Sequence, residues 1–194
     1  MLRSVCVFCG SNPGTHPGYK LAAQQIGTLL AQKGIQLIYG GANRGLMGTL
    51  ADACLAEGGR VIGVMPKVLV EKEVAHRGLT QLIIVGSMHE RKAAMANLAG
   101  AFIALPGGYG TWEEFCEVLT WSQLGLQQKA CAVLNVNGYY NPLLAMADRA
   151  VTEGFVNSVH RQLILDDTDP ARLLQRLQSC EIPAVDKWIN PASS

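Results

Sequence analysis

The stretch LPGGYGTWEE, residues 105–114, sets three glycines and a threonine just before two carboxylates at the end of an apolar run. Gly107, Gly108 and Gly110 let a backbone curl closely around an anion, and Thr111 can add a hydroxyl donor. A helix starting at this point would turn its positive end toward the same place. Thr111 and Glu114 also have a plainer reading, since T-x-x-E is the sequence of a capping box and the glycines can serve a turn alone. On this stretch by itself, both readings stand.

A second stretch, MHERKAAM at 88–95, supplies Arg91 and Lys92. Ser87 and Glu90 form S-x-x-E, which predicts a helix start at Ser87 and a capping role for Glu90. Arg91 and Lys92 then fall near the first turn, where the helix dipole disfavours cations. Arg91 shares a stripe with Met95 and Leu98, whereas Lys92 lies about 100° around the helix. An arginine on the sheet-facing side calls for a carboxylate or phosphate, which its guanidinium can grip with two bonds. The alternatives are a structural salt bridge for Arg91 and a solvated head group for Lys92.

Glu114 begins the next helix of the chain, so adjacent βα units would bring it and Arg91 to one cleft. An anion cradle, an arginine and a carboxylate together suit hydrolysis of a ribosyl N-glycosidic bond. A carboxylate stabilises the oxocarbenium-like transition state of such a reaction, holds ribose hydroxyls or activates water. Fixing a phosphate orients the ribose and contributes remote binding energy. This chemistry calls for no metal and no prosthetic group.

These residues must be carried by a regular framework, and the pattern supplies one. Apolar, β-branched stretches near 3–8, 35–39, 60–65, 80–85, 101–105, 130–136 and 162–165 predict strands. Helical spacing of apolar residues predicts helices near 19–33, 46–57, 88–99, 112–124, 141–153 and 170–180. Alternation of this kind implies an α/β fold, a three-layer α/β/α sandwich with a mostly parallel sheet covered on both faces. Residues 1–194 read as one domain, with a tail from about 183 that packs locally or frays, and 66–78 as a loop with a short helix. Small molecules bind such sheets beyond the C-terminal strand ends. Two further glycine loops fall there, FCGSNPG at 8–14 and GGANRGLMG at 40–48. Neither is a dinucleotide fingerprint, because the glycine spacing of the first is wrong and the second follows a later strand. Leu46 stands where a Walker A loop needs lysine.

Composition narrows the function classes. With 49% hydrophobic residues, 16% charged residues and a net charge of +1, the 194-residue chain reads as compact and soluble. It carries no basic cluster for a nucleic-acid polymer. Its apolar runs stop well short of the roughly 18 residues needed to cross a membrane. The N-terminus MLRSVCVFCG reads as a strand, not as a signal peptide. Of the six cysteines, Cys6 and Cys9 form C-x-x-C, yet no second close pair completes a zinc site, so structural thiols in a cytoplasmic, reducing location fit best.

The motifs GGANRGLMG, MHERKAAM and PGGYGTWEE, in this order and spacing, resemble the signatures of the LONELY GUY (LOG) family. Its members are cytokinin riboside 5′-monophosphate phosphoribohydrolases, often labelled lysine decarboxylases without having that activity. The resemblance implies a Rossmann-like fold and a homodimer with active sites near the subunit interface. It implies hydrolysis of a nucleoside 5′-monophosphate, such as AMP or a cytokinin riboside 5′-monophosphate, to free base and ribose 5-phosphate. Residue by residue, it puts Arg91 and Glu114 in catalytic positions. Gly107, Gly108, Gly110 and Thr111 become phosphate-binding positions, with Met88 and Lys92 matched more loosely to the substrate side. One departure is Ala42, where many members carry a third glycine; an adjusted loop is expected. A noncatalytic nucleotide-binding or carrier protein would use the same loops. A decarboxylase would need a pyridoxal lysine, for which Lys92 lacks any accompanying cofactor site.

The other candidates have plain readings. His16, His76 and His160 share no metal-ligand spacing, and His89 sits near a helix start. Asp52 serves helix or interface contacts. Met47 and Met95 suit either core or a base pocket, while Trp112 and Trp121 suit packing or a dimer surface. Glu113 should point elsewhere around its helix than Glu114.

Overall fold

The computed structural model describes residues 2–70 and 75–181, so the expected tail from about 183 and part of the 66–78 loop lie outside the described residues. Seven strands form one sheet: β1 (Ser4–Phe8), β2 (Gln36–Tyr39), β3 (Val61–Pro66), β4 (Gln81–Val85), β5 (Ala101–Ala104), β6 (Ala130–Leu134) and β7 (Ile164–Asp167). Their order is β4-β3-β2-β1-β5-β6-β7, and each neighbouring pair is parallel. The central strands β1, β2, β3, β5 and β6 are almost wholly buried, as short apolar runs covered on both faces must be.

Among the described residues eight α-helices flank the sheet: α1 (Pro17–Gln32), α2 (Gly45–Ala56), α3 (Lys67–Val70), α4 (Met88–Leu98), α5 (Tyr109–Gln123), α6 (Asn141–Thr152), α7 (Ser158–Arg161) and α8 (Pro170–Ser179). Alternate residues of β1 feed the two cores. Val5 and Val7 join α1, α2 and α8 through Ile26, Leu50 and Leu173 on one side. Cys6 and Phe8 join α4, α5 and α6 through Met95, Phe115 and Leu143 on the other. The expected three layers are therefore present, with α7 added as a single turn that no apolar periodicity could announce.

Strand order changes one expectation. Glu114 and Arg91 belong to consecutive βα units, but β4 is the sheet edge and β5 lies beyond β3, β2 and β1. The units are not adjacent. Helix α4 spans the gap, touching β4, β3, β2 and β1 on its way. That crossing carries Arg91 from the edge toward the middle of the sheet.

Between β1 and β5 the chain's direction of winding reverses, so the loops leaving these two strands part and open a crevice. The three glycine loops interlock at this crevice. Gly10 N donates to Pro106 O at 3.1 Å, and Leu46 N donates to Gly10 O at 3.0 Å. Gly45 has φ +58°, and a Cβ there would lie 2.3 Å from the Ser11 carbonyl. Ala42 adapts without a positive φ, which falls instead to Gly41 and Gly45, and it bridges to Ala75. Gly45→Ala therefore meets both backbone strain and a backbone clash, and is expected to cost about 2 kcal/mol or more. Urea denaturation checks this; an unchanged midpoint would show that the loops are not locked together.

Candidate active site

A cleft opens at the C-terminal ends of β1, β2 and β5. It is lined by Gly10 and Ser11 after β1, Gly40 and Met47 around the second glycine loop, and Gly108 to Thr111 at the start of α5. Arg91 and Glu114 form its floor. Leu69 of α3 borders it.

Helix α5 begins at Tyr109 with Gly108 as N-cap, three residues earlier than a T-x-x-E box requires. Thr111 is therefore the third residue of the helix, and the capping-box reading of Thr111 and Glu114 is corrected. No side chain caps this end, nor that of α2, where Arg44 is the N-cap. By contrast α1, α4, α7 and α8 are capped by His16, Ser87, Asn157 and Asp169. The first N–H groups of any helix lack internal acceptors, so the bare start of α5 presents donors and a positive dipole end to the cleft. Thr111 is buried there, and a Cβ on Gly107 would run into its hydroxyl.

At Ser87 a variant of the expected box forms, in which Glu90 reaches back to the residue before the N-cap. Ser87 Oγ accepts from Glu90 N at 3.1 Å, while Glu90 Oε2 accepts from Gly86 N at 2.9 Å. This fixes the first turn of α4 and with it the direction of the next two side chains. Arg91 Nη1 meets Glu114 Oε1 at 3.2 Å, with both side chains nearly buried. Arg91 Nε donates to Val64 O, within β3, at 3.1 Å. Gly40 makes room for the guanidinium: a Cβ there would stand 2.2 Å from Arg91 Nη2.

Lys92 turns to the neighbouring face of α5, where its Nζ pairs with Glu113 and Glu117. Lys92 and Met88 are not among the residues lining the cleft, and Met88 is exposed. Gly107 lines a second, adjoining cavity with Tyr19, Leu46 and Tyr139. Of the residues singled out in the sequence, Arg91, Gly108, Gly110, Thr111 and Glu114 thus converge on one cleft.

Burial pushes the Glu114 carboxyl above its ordinary value, and the Arg91 guanidinium pulls it back down. Glu113 raises it further, and Lys92 lowers it. A carboxylate in a water-poor cleft is a strong electrostatic tool if a cation keeps it ionised. Burial also pushes the Cys6 and Cys9 thiols up, which suits inert, packed sulfurs. Among the described residues no group of three or more His, Cys, Asp or Glu could hold a metal ion. His76 pairs with Asp52 at 2.8 Å, and His16 caps α1. Met47 reaches the cleft, whereas Met95 is core.

The sequence reading missed Ser11, Leu69 and the pair Tyr139–Tyr140. Tyr139 Oη donates to Gly107 O, and Tyr140 Oη donates to Leu105 O at 2.7 Å. Asn137-Gly138 signals a turn before the tyrosines, but their partners lie more than 30 residues away, beyond the reach of local pattern.

If Arg91 holds Glu114 ionised, Arg91→Met should raise the Glu114 pKa further above the ordinary glutamate range. Isotope-edited infrared titration of the carboxyl band, compared with Glu114→Gln to assign it, measures this. An unchanged midpoint would mean that the pair is not electrostatically coupled.

Comparison with known proteins completes the picture. Residues 47–177 match the family model described as "Possible lysine decarboxylase". The chain is 52% identical over 164 residues to a cytokinin riboside 5′-monophosphate phosphoribohydrolase of Rhodococcoides fascians, covering 84% of this chain and 83% of the relative. It is 46% identical over 179 residues to an enzyme of the same name from Arabidopsis thaliana, covering 92% and 82%. A molybdenum cofactor binding protein of Rippkaea orientalis has the same fold, with a TM-score of 0.69 over 92% of this chain and 97% of that one. Its 21% identity carries the likeness no further than fold.

Proposed function

The chain belongs to the LOG family of phosphoribohydrolases, matched by its relatives over most of their length, and from that premise we propose that it hydrolyses a nucleoside 5′-monophosphate to free base and ribose 5-phosphate. The observation that carries this reading is the buried Arg91–Glu114 pair beside the uncapped start of α5. The phosphate binds at Gly107, Gly108, Gly110 and Thr111, where free N–H groups and a hydroxyl meet it. This anchors the ribose with its C1′ near Glu114.

As the bond between C1′ and the base nitrogen breaks, its electron pair leaves with the base and positive charge spreads over C1′ and the ring oxygen. The Glu114 carboxylate stabilises that charge. Water adds to C1′ and loses a proton, and the departing base gains one. Arg91 keeps Glu114 ionised against the penalty of burial and holds its carboxylate in place. Lys92, bound to Glu113 and Glu117, contributes by fixing α4 to α5, and Met88 belongs to the substrate side of the same helix end. AMP and cytokinin riboside 5′-monophosphates are the substrates, and the enzyme acts in the cytoplasm. The described residues include no helix long and apolar enough to cross a membrane.

The chain works as one catalytic domain and as a homodimer. Exposed Met88, Tyr109 and Trp112, at the starts of α4 and α5 near the cleft, support a subunit interface there.

Chromatography of reactions with AMP and isopentenyladenosine 5′-monophosphate should resolve free base and ribose 5-phosphate, from a particle of twice 20.8 kDa by light scattering. Glu114→Gln should lower kcat by about 100-fold or more while the fold is kept. Nucleotide binding without product would instead make the protein a carrier, a monomeric active enzyme would remove the dimer, and a near-normal Glu114→Gln rate would remove that residue from catalysis.

A further inference from the structure

The bare start of α5 can receive an anion only if the preceding peptides point the right way, and the carbonyls of Leu105, Pro106 and Gly107 reveal what aims them. Each accepts a hydrogen bond from outside its own loop. Tyr140 Oη donates to Leu105 O, Gly10 N to Pro106 O, and Tyr139 Oη to Gly107 O. A trans peptide sets the carbonyl of one residue opposite the N–H of the next. There are no cis peptides among the described residues. Holding Gly107 O back against Tyr139 therefore turns the Gly108 N–H away from Tyr139. Holding Pro106 O against Gly10 likewise turns the Gly107 N–H away from Gly10.

The two tyrosines are themselves held firmly. Asn135, the residue after β6, accepts from Tyr140 N through Oδ1 and donates to Asn141 Oδ1 through Nδ2, each at 2.7 Å. Between them, Asn137 takes a left-handed conformation with φ 53°, and Gly138 follows with φ 69°. This compact turn presents consecutive residues to two different carbonyls of one loop. Tyr140 is buried with its hydroxyl satisfied, and Tyr139 stacks edge-on against both Tyr19 and Tyr140.

We propose that Tyr139, supported by Tyr140, is a positioning residue for the phosphate-binding turn: its hydroxyl fixes the Gly107–Gly108 peptide so that the Gly108 N–H faces the substrate phosphate. The assignment rests on the phosphate reading of Gly107–Thr111. It makes the turn after β6 part of the substrate site, although Tyr139 acts only through the Gly107 carbonyl.

Tyr139→Phe keeps the ring and removes the single donor. Losing one such bond should weaken binding of ribose 5-phosphate and of AMP about three- to tenfold, as read by calorimetry. KM for AMP should rise by a similar factor with a smaller change in kcat. Adenosine, which lacks the phosphate, should bind wild type and Tyr139→Phe equally.

A uniform loss across AMP and adenosine, or no loss for ribose 5-phosphate, would overturn the assignment. The wild-type protein gives a test independent of the variant's folding. Titration with inorganic phosphate should move the Gly108 amide resonance, and a stationary resonance at saturation would also overturn it. Wild type that binds neither ribose 5-phosphate nor AMP would reject the phosphate site itself, whereas wild-type binding with an unaltered variant rejects only the tyrosine's role.

Discussion

Two charged groups, a guanidinium and a carboxylate, are taken out of water together at the end of the sheet, and much of the architecture exists to make that tolerable. Arg91 and Glu114 come from different helices, and their pairing at 3.2 Å demands that α4 and α5 hold a fixed separation. Burying either charge alone is costly, whereas a paired and hydrogen-bonded set survives. The remaining donors of Arg91 are not left to chance: Val64 O takes Nε, and Gly40 clears space for Nη2. Immediately beside it, Lys92 binds Glu113 and Glu117, so two consecutive cations of α4 are met by three carboxylates of α5. In the proposed reaction, the same burial that raises the Glu114 pKa would make its ionised form effective against a developing cation, with Arg91 reconciling the two demands.

The second constraint is the backbone. Loops after β1, β2 and β5 approach one another closely enough that Gly10, Gly45 and Gly107 have no room for larger residues. Their hydrogen bonds run from loop to loop, not only within each one. Peptides held in this way would give the proposed phosphate site fixed donors without a charged side chain in its first turn. The uncapped start of α5 is then available to a ligand, while Ser87 and Glu90 satisfy the start of α4 internally.

Much of this was legible in the residues. Strands and helices follow the apolar periodicity to within a few positions, because alternation of buried strands with amphipathic helices leaves few other packings. Arg91 could be singled out because a cation in a first turn, on the sheet-facing stripe, is expensive without a partner. The start of α5 lies three residues before the expected one: Tyr109 and Gly110 are poor helix formers on local propensity, but the loop held by Tyr139, Tyr140 and Gly10 makes them helical. Strand order was not readable either. Nothing local tells that α4 crosses three strands, so Arg91 and Glu114 met by a route other than adjacency. Lys92 pairs with carboxylates for a related reason, since its neighbours on α5 are set by that crossing.

The central claim is that one sugar phosphate sits with its phosphate on the start of α5 and its anomeric carbon at the Arg91–Glu114 pair. A crystal structure of Glu114→Gln soaked with AMP tests it most directly. The account predicts phosphate oxygens within hydrogen-bond distance of the Gly108, Gly110 and Thr111 N–H groups, and C1′ facing residue 114. Nucleotide bound with its phosphate elsewhere, or with C1′ turned away from that side chain, would contradict it.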